Sequence, residues 1–254
     1  MRRYRFRKDH MKKGVYVLPN LFTTASLFSG FYSIIASMKG MYELAAWAIL
    51  IAMVFDGLDG RIARMTRTTS KFGAQYDSLA DLVAFGVAPA ILTFHWALMS
   101  YGKWGWLAAF LFVTCGALRL ARFNVQIAII DSKVFNGLAI PAGASVIATA
   151  VLLYFKLGGE GQFNHLSVLV GTILVALLMV SSIKYYSFKD LNFFARKPFM
   201  SFVLIVLILV IVIAEPQIMI FTFAFGYALS GPVWLIYKLS RKKRTDQEQQ
   251  VHHG

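Results

Sequence analysis

Between residues 15 and 237 the sequence keeps returning to apolar runs about as long as a lipid bilayer is thick, and no polar stretch between them is long enough for a separate domain. A helix needs roughly 20 predominantly apolar residues to cross the hydrocarbon core, where every backbone N–H and C=O must be satisfied within the segment. The runs predict an all-α, polytopic integral membrane protein with eight spans, near 18–38, 42–63, 73–98, 104–125, 139–157, 164–183, 199–214 and 216–237. Glu215-Pro216 reads as a tight turn between the last two, since proline suits the start of a helix and disrupts its interior. Composition agrees: 58% of the 254 residues are hydrophobic and the mean hydropathy is +0.62, whereas a soluble domain is roughly 45–50% apolar. The first run is longer than a signal-peptide core and has no small-residue cleavage site, so it is expected to be retained.

The net charge of +14 raises the possibility of nucleic acid, but the basic residues lie between apolar segments instead of forming one stripe with interleaved aromatics. They fit a membrane surface. Lys and Arg accumulate on the cytoplasmic side. With both termini inside, only Lys39, Lys103 and Lys156 of the 26 basic residues face out, which favours an even number of spans in the cell (inner) membrane. Residues 1–14 form a basic segment that either lies on anionic headgroups or only fixes topology. Residues 241–254, basic and then polar, are expected to be disordered. The single cysteine, Cys115, excludes a disulfide framework or a cysteine-rich metal site, and the five histidines show no metal-ligand spacing.

Only 12 residues are acidic, yet Asp56, Asp59, Asp77 and Asp81 all fall in or beside spans two and three. A carboxylate within a span costs roughly 2.5–3.5 kcal/mol, so four together call for a shared cation or a water-filled cavity. Helical spacing puts Asp56, Asp59, Gly60, Ala63 and Arg64 on one stripe and Gly73, Asp77 and Asp81 on another. The short connection over residues 64–71 makes the two helices antiparallel neighbours, so the stripes can face each other. Four carboxylates without nearby histidine or cysteine form a hard, all-oxygen site suited to magnesium, manganese or calcium. Gly60 and Ala63 leave room for a ligand, while Arg64, Arg67 and Lys71 at the mouth suit phosphates. Together these features indicate phosphoryl chemistry. A cation-coupled transporter is a rival reading, disfavoured because the aspartates sit near one membrane face instead of beside broken helices at the midplane.

The run Asp56-Gly57-Leu58-Asp59-Gly60-Arg61-Ile62-Ala63-Arg64, eight residues, and then Gly73-Ala74-Gln75-Tyr76-Asp77-Ser78-Leu79-Ala80-Asp81 resembles the CDP-alcohol phosphotransferase signature, D-x2-D-G-x2-A-R-x8-G-x3-D-x3-D, at every fixed position. The resemblance implies that Asp56, Asp59 and Asp77 bind two divalent metal ions. It implies that Asp81 is the general base, with metal ligation as its alternative role, and that Gly60, Ala63, Arg64 and Gly73 border the CDP moiety. It also implies a homodimer, with the family's membrane domain over 15–190 and two additional C-terminal helices over 191–240. Asn20 and Thr66 are assigned to the donor side as polar groups. Thr23 and Thr24 either border the nucleotide or bond back to their own helix.

The signature leaves the acceptor open. Arg119 to Asn124, Phe135 to Ala142 and Ser181 to Lys189, all expected on the cytoplasmic side, are similar to the branch of the family that uses serine, although Ala139 stands where many relatives have proline. What this implies is transfer of the phosphatidyl group of CDP-diacylglycerol to L-serine in phospholipid biosynthesis, with glycerol 3-phosphate or inositol phosphate as the alternative acceptor. Arg119 or Arg122 would grip the serine carboxylate and Asn124 its amino group, unless both arginines serve only topology and lipid phosphate. Lys184 is a candidate contact for phosphate or headgroups.

Overall fold

The computed structural model describes residues 3–66, 70–127, 135–185 and 214–252. Helix α1 (Arg3–Met38) carries the basic segment and the first span in one continuous helix. A turn at Gly40, whose φ of 75° suits glycine, leads into α2 (Tyr42–Thr66). The two helices pack along their length through small side chains: Ser26, Ser29, Ser33 and Ala36 on α1, and Ala45, Ala46 and Ala52 on α2, are all buried. Small residues let helix backbones approach closely in a membrane. The hydroxyl of Ser26 donates across the interface to the carbonyl of Ala52, at 3.1 Å.

The third expected span is one continuous helical run with a shifting register. It passes through α3 (Lys71–Asp81), a π-helical turn (Leu82–Val87), α4 (Ala88–Thr93), a second π turn (Phe94–Leu98) and a final 3-10 turn (Met99–Tyr101). Pro89 has no N–H to give the preceding turn, which accounts for a disturbed ladder near it. The first π turn begins directly after Asp81 and lies against α1. A Cβ on Gly30 would stand 2.5 Å from the Cα of Ala84, so only glycine permits this approach.

Next come α5 (Lys103–Ile127), α6 (Ile140–Lys156), α7 (Leu166–Val180) and α8 (Pro216–His252). Among the described residues, four helices are long and apolar enough to cross a membrane: Leu18–Met38, Phe72–Tyr101, Lys103–Val125 and Pro216–Lys238. At 17 and 15 residues, α6 and α7 are apolar but short, and α2 carries the site's charges. The span expected over 199–214 lies outside the described residues, Ala214 excepted. An ion pair of 3.0 Å between Lys156 and Glu215 sets the start of α8 level with the end of α6.

The tail over 241–254 is helical as far as His252, because its Lys, Arg, Gln and Glu residues are good helix formers that extend α8. The architecture is all-helical as expected, with one short pairing outside the helices: β1 (Phe135–Asn136) runs antiparallel to β2 (Lys184–Tyr185). The segments after α5 and α7 return to the same face, and pairing satisfies backbone groups that would otherwise lack partners. Gly137, at a φ of 82°, continues the pairing by donating its N–H to the carbonyl of Ile183, at 2.9 Å. The core beneath this pair is built around Phe85, Phe112, Leu138 and Ile140, all fully buried.

Candidate active site

Asp56 and Asp59 stand in the second half of α2 and Asp77 in α3, and carboxylate oxygens from the three lie within 4.8 Å of one another. Asp81, the last residue of α3, is one turn further on. Its carboxyl shares a hydrogen bond with that of Asp56. Asp59 is only 5% exposed and is held by Thr23 of α1, whose hydroxyl donates to Oδ2 at 2.8 Å. The facing stripes expected from helical spacing are therefore present.

The carboxylates open onto a cavity of 480 Å³. Its walls come from Pro19, Asn20 and Thr23 of α1, from Gly57, Gly60, Ala63 and Arg64 beside the two aspartates of α2, and from Ser70, Gly73 and Ala74 with Asp77. Ser70 caps α3 by accepting the N–H of Gly73 on its hydroxyl, at 2.9 Å. The start of α3 thus opens on the cavity, where helix N-termini favour anionic groups. A Cβ on Gly60 would meet nothing within 4 Å, so this wall is open. One on Gly73 would lie 3.1 Å from Oγ of Ser70 and 3.3 Å from Oδ1 of Asn20, so α1 closes tightly there. Thr24 donates to the carbonyl of Asn20 at 2.7 Å, leaving the hydroxyl of Tyr76 to donate to Thr24 at 2.9 Å and tie α1 to α3.

Among the described residues, none of the four aspartates makes an ion pair with a basic side chain. Carboxyl groups this close require a shared proton or a cation between them. The donor set is all oxygen, with small residues beside it and a buried threonine orienting one ligand. It fits hard divalent cations.

The structure separates the remaining candidates. Asn20, Gly60, Ala63, Arg64 and Gly73 line the cavity. Thr66 does not: it is exposed at the end of α2 and its hydroxyl donates to the carbonyl of Ile62, at 2.7 Å. Arg67 lies outside the described residues, Lys71 opens α3, and Lys184 is paired through its backbone with Asn136. Arg119 lies over the ring of Phe123 at 5.7 Å, and its Nε is buried without a hydrogen-bond partner. Arg122 points elsewhere, donating from Nη1 to the carbonyl of Val180 at the end of α7, at 3.4 Å. Asn124 donates from Nδ2 to the hydroxyl of Ser78, at 2.9 Å, tying α5 to α3 between Asp77 and Asp81. Ser70, Tyr76 and Ser78 were not among the expected site residues. Of these, only Ser70 had a sequence signal, as an N-cap residue at the start of an expected helix.

The sequence matches the CDP-alcohol phosphatidyltransferase family over residues 16–183. The chain belongs to that family. It is 43% identical over 181 residues to a CDP-diacylglycerol–serine O-phosphatidyltransferase of Helicobacter pylori (strain J99), covering 70% of this chain and 75% of the relative. It is 39% identical over 170 residues to the archaetidylserine synthase of Methanothermobacter thermautotrophicus, covering 66% and 69%. A CDP-diacylglycerol–serine O-phosphatidyltransferase of Saccharomyces cerevisiae is 40% identical over 134 residues, covering 47% and 48%. Members of the CDP-alcohol phosphatidyltransferase family use divalent metals, in keeping with the aspartate cluster. Membership makes this a membrane enzyme and removes the transporter reading.

Proposed function

We propose that the protein transfers the phosphatidyl group of CDP-diacylglycerol to the hydroxyl of L-serine, giving phosphatidylserine and CMP. The observation that carries this reading is the aspartate cluster at the wall of the cavity, in a chain whose most similar relatives include enzymes named for serine.

In this reading Asp56, Asp59 and Asp77 hold two divalent ions, magnesium or manganese with calcium also suitable, while Asp81 serves as base or as a further ligand. Bound there, the ions supply positive charge that neutralises the diphosphate and the departing CMP oxygen. The small side of the cavity at Gly60, Ala63 and Gly73, with Asn20 and Arg64, receives the CDP moiety. Thr66, Arg67, Lys71 and Lys184 belong to the approach used by phosphates and headgroups. Asp81 accepts the proton of the serine hydroxyl as its oxygen bonds to the phosphatidyl phosphorus. The bond from that phosphorus to the CMP oxygen breaks, and CMP leaves with the electron pair. Among Arg119, Arg122 and Asn124, the buried Nε of Arg119, which has no hydrogen-bond partner, favours Arg119 as the residue that grips the serine carboxylate in a bidentate fork. Arg122 and Asn124 are engaged instead by the carbonyl of Val180 and the hydroxyl of Ser78.

The same reading places eight spans in the cell membrane, with both termini and the active site on the cytoplasmic side and the protein acting as a homodimer. The charge pattern supports the orientation, since only Lys39, Lys103 and Lys156 would face out. The test is phosphatidylserine formation by purified protein in detergent, supplied with CDP-diacylglycerol and a divalent ion, against a panel of alcohols. Serine is expected to be the preferred acceptor. A clear preference for glycerol 3-phosphate or inositol phosphate would overturn the assignment while leaving the family chemistry intact.

A further inference from the structure

Ser78 follows Asp77 in α3 and stands three residues before Asp81, so the side chains of Ser78 and Asp81 are neighbours on the helix surface. The hydroxyl of Ser78 has one hydrogen to give, and gives it to the carbonyl of Ala74, one turn back, at 3.0 Å. Toward any other group it can only accept. The group it accepts from is the amide of Asn124 at the end of α5, 2.9 Å away. An amide donates only from its nitrogen, so the bond from Ser78 to Ala74 decides which end of Asn124 faces Ser78. Nδ2 is turned toward the serine and Oδ1 away from it.

The carbonyl oxygen that this leaves over makes no hydrogen bond among the described residues, and its side chain is only half-buried. It is an open acceptor within one helical turn of Asp81. Helix α5 returns antiparallel after the turn at Gly102 and packs on the π turn that follows Asp81. Asn124 pairs with Ser78 on the cytoplasmic side of Asp81, and Arg119 lies five residues deeper on α5, so the two bracket the level of Asp81. A free amide oxygen suits a cationic donor, and hydrogen bonds to a charged group are the stronger kind. In L-serine the ammonium is vicinal to the hydroxyl and shares its carbon with the carboxylate. With the hydroxyl at Asp81 and the carboxylate on Arg119, the ammonium is left for Asn124. Glycerol 3-phosphate and inositol phosphate have no such group.

We propose that Ser78 is a positioning residue for acceptor choice: by fixing the Asn124 amide, it presents Oδ1 to the ammonium of an amino-alcohol acceptor. Without the Ser78 hydroxyl the amide is free to turn its own N–H groups toward that ammonium, donor against donor. The inference rests on the reading of serine as acceptor, with its hydroxyl at Asp81.

The experiment is steady-state kinetics of the full-length enzyme in detergent, with L-glycerate as competitor against serine. Glycerate keeps the carboxylate and the primary hydroxyl and replaces the ammonium by a second hydroxyl. Ser78→Ala should raise the serine KM about tenfold, the size expected for one hydrogen bond to a charged group, with little change in the Ki of glycerate or the KM of CDP-diacylglycerol. Ser78→Thr, which keeps the hydroxyl, should retain the original constants. Asn124→Leu should show the same selective rise, and Ser78→Ala should add nothing to it, because a residue acting through another loses its influence when that other is gone. An unchanged serine KM in an active Ser78→Ala enzyme would overturn the proposal. So would a serine KM and a glycerate Ki that rise together in both single variants, since this marks a tie between helices and no more. Should Ser78→Ala fail to fold, Asn124→Leu decides by the same two constants. If the unaltered enzyme makes no phosphatidylserine, the serine reading falls and the inference with it; if it does and the constants do not part, the inference alone falls.

Discussion

The hydroxyl of Thr23 on α1 reaches across to α2 and donates a 2.8 Å hydrogen bond to Oδ2 of Asp59, a residue only 5% exposed. The same hydroxyl lies 3.2 Å from the carbonyl of Pro19, so it is held by its own helix while it orients a ligand on the next. Partners of this kind behind a metal ligand typically contribute 10–100-fold in metal affinity. Thr23→Val, which keeps the shape and removes the hydroxyl, is expected to raise the divalent-ion concentration for half-maximal activity by a factor of about that size. Metal titration of the variant checks it, and an unchanged midpoint would mean that Asp59 needs no orienting partner.

Asp81 lies one turn beyond Asp77 and outside the three-carboxylate group. If it is the base, Asp81→Asn should lower turnover by roughly 10²–10⁴-fold while metal and donor affinities change little. Titrating both affinities in the variant decides the matter. Their collapse would make Asp81 a ligand and leave the base to be found elsewhere.

Arg122 and Arg119 are distinguished by what they touch. Arg122 donates to the last carbonyl of α7, where a cation contributes roughly 0.3–1 kcal/mol through the helix end. Arg122→Gln should therefore cost stability on that order and raise the serine KM less than Arg119→Gln does. Thermal unfolding in detergent, run alongside the kinetics, provides the check. A larger serine effect from Arg122 would exchange their roles.

Gly30 tests the close approach of α1 to the turn behind Asp81. Gly30→Ala drives a Cβ to within 2.5 Å of the Ala84 backbone and should destabilise by about 1–3 kcal/mol, as overpacking does. Gly171→Ala, with nothing within 4 Å of the added Cβ, is the matched control and should leave the unfolding midpoint unchanged or slightly raised. Equal midpoints in the two variants would contradict the packing described.

The sequence carried the aspartate site openly, because residues three and four apart must share a helical face and charges within apolar runs demand a reason. The same rule accounts for Gly60 and Ala63, which share the cavity with Asp56 and Asp59. It could not separate Arg119 from Arg122. Both sit on one turn of α5, and only the position of α7 draws Arg122 away. The pairing of β1 with β2 and the seat of Tyr185 on α8 join residues far apart in the chain, so no local period announces them. Helix α8 runs on as far as His252, a length that polarity alone does not announce.

The most direct measurement follows CMP and phosphatidylserine together in one sample of the purified enzyme, with CDP-diacylglycerol, with and without serine and with and without a divalent ion. The account predicts that the two products appear in equal amounts, that both require serine and the ion, and that Asp77→Asn abolishes both while the protein remains folded. CMP released at an undiminished rate without serine, or phosphatidylserine formed equally well after the ion is chelated, would contradict it.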